Sequence, residues 1–560
     1  MFYFPAKKLS IPGRQILIAL ILIGLCAIPI PSSFKSTPIT GAEIGSPIRY
    51  YETYGDIWAN TWADNGVVYV MSDDSKGWNE SNSSNVCIMT FTGTKPTGLS
   101  GGLVNALNTE SSNFGVLAEI DPADNSTWKG NGLTCVDGIL YLTVSRHTYG
   151  WNFADKRQRA FNASIIKSSD YGKTWTPSSK HCFQEPMFPG PTFAVPMFVE
   201  YIKNYKIPDG KGGWKMPPHG ADSNVYAVSN EGFWCNGSRL ILGRVKRSKI
   251  GRLKASDWEF YRGDGADGML SENWSNDVKK ATPILSAPSR LGQVGIQFIP
   301  GLNRYVMIEW FYPSLIDPKG PEGMNTGTCS WHFYEAPTPW GPWKKFFEKT
   351  FEYEGYYNPF ILAKSISPDG LTMTLLTAGD FWTWSFPEET RLYRLYAMEL
   401  RLGTEFNPIP RPSSIINDDD QRIAYKGKSW SAETGRLYGD YRKDIHSATA
   451  QGDSFELEFT GNGIDFITEI NQDLGRVDIN IDGALQTTVD CHGPVRQTQQ
   501  IMYRNRDLKF GTHTIRGIKR SGERLIVDAF QIYEPDKIPS PEKIPFRRLD
   551  QESSRGRLRH

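Results

Sequence analysis

Between residues 48 and 405 the chain repeats one local pattern five times: a short strand, a turn rich in Asp, Asn and Gly, and a second strand with an aromatic or β-branched core. The units are 57–63 with 67–72, 133–136 with 139–145, a pair from 225 to 245 turning through Asn230 and Gly232, 294–299 with 305–310, and 360–366 with 371–378. Each is a hairpin signal, because Gly and Asn accept the positive φ that tight β-turns need. Equivalent strand positions Tyr69, Tyr141, Tyr226, Tyr305 and Thr374 recur at intervals of about 70 to 85 residues, room for a four-stranded blade with its loops. The expected architecture is all-β, a five-bladed β-propeller over residues 45–405. A sixth blade needs strands hidden near 95–120 and 200–220. No long 3.6-residue periodicity appears after the first thirty residues, so helix content should be very low.

Residues 168–175 sharpen this. Ser168, Asp170, Gly172, Thr174 and Trp175 form S-x-D-x-G-x-T-W, in which Asp170 can accept hydrogen bonds from its own turn and Trp175 can pack beneath the hairpin. The octet resembles the Asp-box of sialidases and other β-propellers, which sits in blade hairpins away from the chemistry. With one good box, a true sialidase is disfavoured. The runs 55–66, 256–261, 340–343 and 357–360 resemble a family of secreted microbial and fungal five-bladed propellers. That family, long known only as a domain of unknown function, is related in shape to arabinanases and furanosidases, and some members cleave D-arabinan. The resemblance spans roughly 45–405 and implies that the family's opening Asp is Asp56.

Charge excludes several partners. Lys+Arg (62) and Asp+Glu (61) nearly cancel, which leaves no long-range field for nucleic acid or anionic membrane, while 13% aromatic residues suit stacking on sugar rings. Zinc-ligand spacing, a P-loop and a dinucleotide fingerprint are absent from the sequence, so neither metal nor cofactor is expected. Basic residues ahead of an apolar run at 16–30 read as a signal peptide over 1–31, with an uncleaved anchor as the alternative. The expected location is extracellular, and the expected state a monomer. Six further cysteines (Cys87, Cys135, Cys182, Cys235, Cys329, Cys491) are an even set that an oxidising compartment could pair. Sequons at Asn79, Asn82, Asn125, Asn162, Asn236 and Asn273 permit glycosylation in a eukaryotic route.

A Pro-containing junction at 408–412 precedes a change of texture, because Phe455, Leu457 and Phe459, then Val477, Ile479 and Ile481, alternate as half-buried strands should. This predicts a β-sandwich over 411–535. The wording at 459–464, 477–483 and 511–515 resembles the galactose-binding-like jelly rolls appended to secreted glycosidases, which implies accessory sugar binding. Trp430, Tyr438 and Tyr441 are the stacking candidates, against a role as core or interdomain contacts. Residues 536–560 read as a disordered tail.

Hairpin geometry locates the candidate chemistry. The residue before the first strand and the one after the second share an end, so the five units present Asp56 with Asp73 and Asp74, Asn131 with Arg146 and His147, Asp222 with Arg244, Gln293 with Glu309, and Tyr357 and Asn358 with Asp380. Glycoside hydrolysis needs one protonated and one ionised carboxyl group. Asp56 and Asp222 are the expected pair, with Asp74 or Glu200 tuning a partner. Arg146, His147, Arg244, Gln293, Asn358 and Asp380 would hold hydroxyls, and Trp58 or Tyr357 would stack on a ring. The reading is a secreted glycoside hydrolase acting on a polysaccharide or glycan. The alternatives are a non-catalytic glycan-binding propeller and a polysaccharide lyase.

Overall fold

The computed structural model describes residues 36–79, 84–107, 126–148, 158–179, 185–316, 327–352 and 354–535. The leader, the C-terminal tail, Cys182, Asn82 and Asn125 lie outside them. Among the described residues there is no α-helix, only single turns of 3-10 helix, and no helix long and apolar enough to cross a membrane.

Residues 39 to 404 form a five-bladed β-propeller. Blade 1 is Thr53–Trp62, Val68–Trp78, Ser84–Thr92 and Ser100–Ala106, in that order from the axis outward. Blade 2 is Ser126–Val136, Ile139–Thr148 and Arg159–Ser168. Blade 3 begins with Met197–Glu200, followed by Asn224–Asn230, Gly237–Lys246 and Trp258–Tyr261. Blade 4 is Ile296–Ile299, Arg304–Phe311, Cys329–Ala336 and Lys344–Phe351. Blade 5 is Tyr357–Ile361, Thr372–Ala378 and Leu395–Thr404, completed outside by Ile39–Ile44 from the N-terminal side. The first described strand, now the outer strand of the last blade, ties the two ends of the propeller together and starts it ahead of residue 45. Inner strands of successive blades touch from blade 1 to blade 4 and from blade 5 back to blade 1, and the inner strand of blade 5 meets the second strand of blade 4. No sixth blade is present among the described residues.

The octet at 168–175 does the mechanical work its pattern implies. Asp170 Oδ1 accepts from Ser168 Oγ (2.7 Å) and from Thr174 N (2.9 Å), Oδ2 accepts from Thr174 Oγ1 (2.6 Å), and buried Trp175 donates to the Gly172 carbonyl (3.0 Å). Gly172 takes φ +90° with Ile88 against its α-carbon, so a side chain there meets both strain and a clash.

Residues beyond 413 build a sandwich with its own core. One sheet runs Ser414–Asn417, Ala529–Tyr533, Gly463–Ile470 and Gln497–Asn505, and the other centres on Ser454–Gly461, Gly511–Lys519 and Arg476–Ile481. Between them pack Phe455, Leu457, Phe466, Ile479, Ile515 and Phe530, a cluster distinct from the propeller core. The two bodies meet through polar contacts: Arg49 N donates to Gln497 Oε1 (2.7 Å), Gln500 Nε2 to the Pro47 carbonyl (2.7 Å), and Arg506 to Glu43 (2.7 Å).

Cys87, Cys135, Cys235, Cys329 and Cys491 are all buried free thiols, so the pairing that their even number allows is not seen among the described residues. The sequon at Asn236 is fully buried, its amide donating to the Ser289 and Tyr312 carbonyls (both 2.9 Å), so the folded protein cannot carry a glycan there.

Candidate active site

A pocket opens at the end of the propeller where the inner strands of blades 1, 2 and 5 begin. Asp56, Asp73, Asp74, Lys129, His147, Gln158, Trp234, Tyr312, Tyr357, Phe381 and Trp382 line it. Its volume of about 20 Å³ admits a water or two and the reacting atoms of a larger ligand.

Backbone irregularity aims the acids. The pairing of blade 1's first two strands slips on both sides of Asp56. Gly55 has φ +125°, and a β-carbon there would lie 2.8 Å from the Asp73 carbonyl oxygen, so only glycine lets the strands approach this closely. Ile57 (φ +47°), Asp74 (φ +41°) and Asn358 (φ +55°) also sit in the left-handed region. Such conformations are costly, especially for a β-branched residue, and their clustering around one pocket marks it as built for more than stability.

The electrostatics are set by burial. Asp56 Oδ2 accepts a hydrogen bond from the Tyr357 hydroxyl (2.5 Å), and its buried Oδ1 has no hydrogen-bond partner among the described residues. Burial first, then the neighbouring Asp74 charge, pushes the Asp56 carboxyl up to about 7, against the opposing pull of Lys129 and Tyr357. Asp73 faces Asp56 across the strand pair. Burial holds it well above the usual carboxylate range, although Lys129 Nζ lies 3.3 Å from Oδ2 and Gly130 N donates to Oδ1. The Lys129 ammonium also contacts the Asp74 carboxylate, which is the more exposed of the adjacent pair, as strand alternation requires. His147 packs edge-on against Trp234 (5.1 Å between centroids), and burial lowers its imidazole to about 3, so it is neutral at working pH. Among the described residues no group of His, Cys, Asp and Glu is arranged to hold a metal ion.

Of the residues singled out from sequence, Asp56, Asp74, His147 and Tyr357 come together here. Asp380 stands at the rim, accepting from Trp382 N (3.0 Å) and so fixing the turn that carries Phe381 and Trp382. Gln293 and Asn358 lie just below: Gln293 donates to Asn131 Oδ1 (2.9 Å) and accepts from Asn358 Nδ2 (3.4 Å), an amide brace across the channel linking blades 2, 4 and 5. The Gln293 amide and Asn358 Nδ2 are engaged in this brace, while the buried Asn358 Oδ1 has no hydrogen-bond partner among the described residues. Arg146 is next to His147 on its strand, so its side chain leaves by the opposite face.

Others are corrected. Asp222 is exposed at the opposite end of the propeller and cannot pair with Asp56. The reason is the inner strand Met197–Glu200: it makes Asn224–Asn230 the second strand of blade 3, running the other way, so the turn with Trp234 reaches the pocket and the residue before the strand does not. Arg244 lies at that far end too, pairing with Glu259 (2.9 Å) and stacking on Trp274 (3.9 Å). Glu200 ends its strand there, accepting from Thr61 Oγ1 (3.1 Å), and burial raises its carboxyl to about 8. Thr61 is five residues along from Asp56, about 16 Å at the usual strand rise. Trp58 is completely buried and offers no face to a sugar. In the sandwich, Trp430 packs on Tyr425 (4.5 Å) and donates to the Lys426 carbonyl, and the Tyr438 ring lies between Arg436 and Arg496. Tyr438 also offers its carbonyl to Arg49 at the seam, and Tyr441 is half-buried in the same turn.

Sequence reading missed Lys129, Gln158, Trp234, Tyr312, Phe381 and Trp382. Lys129 had a signal, since it is the fourth residue of the inner strand of blade 2 as Asp56 is of blade 1. Glycines at 130 and 132 hid the strand's continuation. The aromatic residues come from loops without periodicity.

No family model matches the chain. Among solved structures it is similar to an exo-β-1,3-galactanase of Phanerochaete chrysosporium (10% identity, 87% of this chain and all of that one, TM-score 0.35). It is also similar to a putative hydrolase of Bacteroides ovatus (14% identity, 62% and 85% of the two chains, TM-score 0.36). Among curated proteins, 113 residues are 26% identical to the A type blood N-acetyl-α-D-galactosamine deacetylase of Flavonifractor plautii. That match spans 20% of this chain and 14% of the relative's length. Similarities at this level show no family membership.

Proposed function

We propose that this protein is a secreted hydrolase that cleaves glycosidic bonds in a polysaccharide or glycan at the mouth of the propeller. The observation that carries the reading is Asp56: a buried carboxyl pushed up to about 7, clamped by Tyr357, beside a second carboxylate paired to Lys129. Glycoside hydrolysis requires a carboxyl group that keeps its proton to give to the leaving oxygen, and burial holds Asp56 in that form. Asp56 in its protonated form donates to the departing glycosidic oxygen. Asp74 replaces Asp222 as its partner and acts as base toward water or as nucleophile. Asp73 and Lys129 fix the field between them, while Trp382 and Phe381 at the rim offer faces to the sugar. The sandwich, in this reading, holds the glycan without chemistry of its own.

Incubating the protein with plant, fungal and bacterial polysaccharides, followed by product mass analysis, tests the reaction class. New reducing ends with the mass of added water support hydrolysis. Products that absorb in the ultraviolet support the lyase alternative, which the neutral His147 in the same pocket favours as a base. The mass analysis also reads deacetylation, the activity named for the F. plautii relative. No product from any glycan, together with glycan binding, would leave a non-catalytic propeller.

A further inference from the structure

One excursion of the chain carries much of the pocket wall. Between Thr372–Ala378 and Leu395–Thr404, the second and third strands of blade 5, residues 379–394 leave the sheet and supply Phe381 and Trp382 to the pocket. The same excursion supplies Phe381, Trp384 and Tyr393 to an adjoining cleft of about 610 Å³ that shares Asp74 with the pocket. It contains a single turn of 3-10 helix and no strand. Thr383 closes it on itself, its Oγ1 accepting from Leu392 N (2.7 Å) and Tyr393 N (3.0 Å). Those bonds fix its shape, and what fixes its place must lie behind it.

Behind it lies the sandwich. Asp380 N, at the base of the excursion, donates to the carbonyl of buried Glu354 (3.0 Å). The Glu354 side chain in turn accepts from Gln499 Nε2, which also donates to the Gly439 carbonyl (2.9 Å). Two further ties run in parallel. Buried Arg49 donates to the Glu389 carbonyl within the excursion (3.1 Å) and to the Tyr438 carbonyl of the sandwich. Arg394 donates to the Glu388 carbonyl (3.1 Å) and to the Tyr51 carbonyl, and the Tyr51 hydroxyl donates to the Arg496 carbonyl of the sandwich (2.8 Å). Gln499 itself sits at φ +54°, where the pairing of its strand with Gly463–Ile470 slips. A left-handed conformation in a non-glycine residue is costly and persists where surrounding contacts demand it.

We propose that the sandwich is part of the frame of the active site, and that Gln499 is a positioning residue which, through Glu354, seats residues 379–394 and with them the Phe381 and Trp382 wall. Gln499 touches no reacting atom. The seating is independent of the reaction, and only its kinetic consequence rests on the hydrolase reading.

Hydrogen exchange read by mass spectrometry on the full-length protein, with and without Gln499→Ala, tests the seating without any substrate. Exchange across 379–394 should quicken about fivefold or more, the worth of one hydrogen bond, while Thr53–Trp62 and Ser454–Gly461 keep the parent's rates. Gln499→Met keeps the length of the side chain without its donors and should do the same, so it carries the test if the alanine variant fails to fold. Unchanged exchange across 379–394, or quickening spread equally through the sandwich strands, overturns the proposal. On a glycan that the parent cleaves, Gln499→Ala should raise KM about fivefold with kcat nearly unchanged, a split that general loosening would not produce. In a Trp382→Ala background the same substitution should raise KM by no more than about twofold, because the wall it seats is already breached. Fully additive effects on KM would overturn positioning through that wall. No cleavage of any glycan by the parent, with quickened exchange confined to 379–394, removes the hydrolase reading and leaves the seating. Cleavage with unchanged exchange does the reverse.

Discussion

Replacing Asp56 by Asn removes an ionisable group at nearly constant volume, and its first consequence should be on stability. The Asp56 carboxyl rises from 3.8 to about 7 on folding, because ionising it at a buried site beside Asp74 is unfavourable. The folded state therefore holds this proton more tightly than the unfolded chain does. The stabilisation is complete below about pH 4 and is lost as pH climbs through about 7. Roughly three pKa units at 1.36 kcal/mol each set a ceiling of about 4 kcal/mol, lowered because Asp73 titrates in the same cluster. In denaturant melts at pH 5, 6, 7 and 8 the parent should lose stability relative to Asp56→Asn as pH rises, by at most about 3 kcal/mol across the series. Stability curves that run parallel at every pH would refute the claim that Asp56 is a strained, proton-holding acid.

Three further outcomes follow from the same geometry. Tyr357→Phe removes the hydrogen bond that favours the ionised form of Asp56, so the alkaline limb of the rate profile should move upward in pH, and an unmoved limb would separate Tyr357 from the acid. Gly55→Ala places a β-carbon 2.8 Å from the Asp73 carbonyl oxygen at φ +125°, and should cost about 1 kcal/mol or more and most of the activity, read by melting and by turnover. Trp175→Ala empties a buried site beneath the octet turn and should cost about 3 to 5 kcal/mol in a melt, with KM unchanged in protein that remains folded.

The fold was legible because a hairpin writes itself locally: Asp64 to Gly66 and Asp137 with Gly138 announce their turns within a few residues, and the blade repeat follows from counting them. What stayed hidden was non-local. Met197–Glu200 is a four-residue strand flanked by prolines and aromatics, with no alternation long enough to mark it, yet it sets the direction of blade 3 and so sent Asp222 and Arg244 to the wrong end. Asp56 could be found since Gly55 and the strand after it fix its place in the hairpin. Its altered proton affinity could not, because that arises from burial and from Lys129 and Tyr357, which are distant in sequence. Trp58 shows the converse error: two residues on from Asp56 it would share that face of a regular strand and reads as a sugar platform, but the slip between Asp56 and Ala59 and the left-handed Ile57 break the alternation, and the ring is buried in the core.

The most direct measurement is turnover of Asp56→Asn and Asp222→Asn side by side on a glycan that the parent cleaves. The geometry predicts a loss of about 100-fold or more for Asp56→Asn and near-normal turnover for Asp222→Asn, which stands exposed at the far end of the propeller. Near-normal turnover in Asp56→Asn, or a comparable loss in Asp222→Asn, would contradict the placement of the chemistry at this mouth.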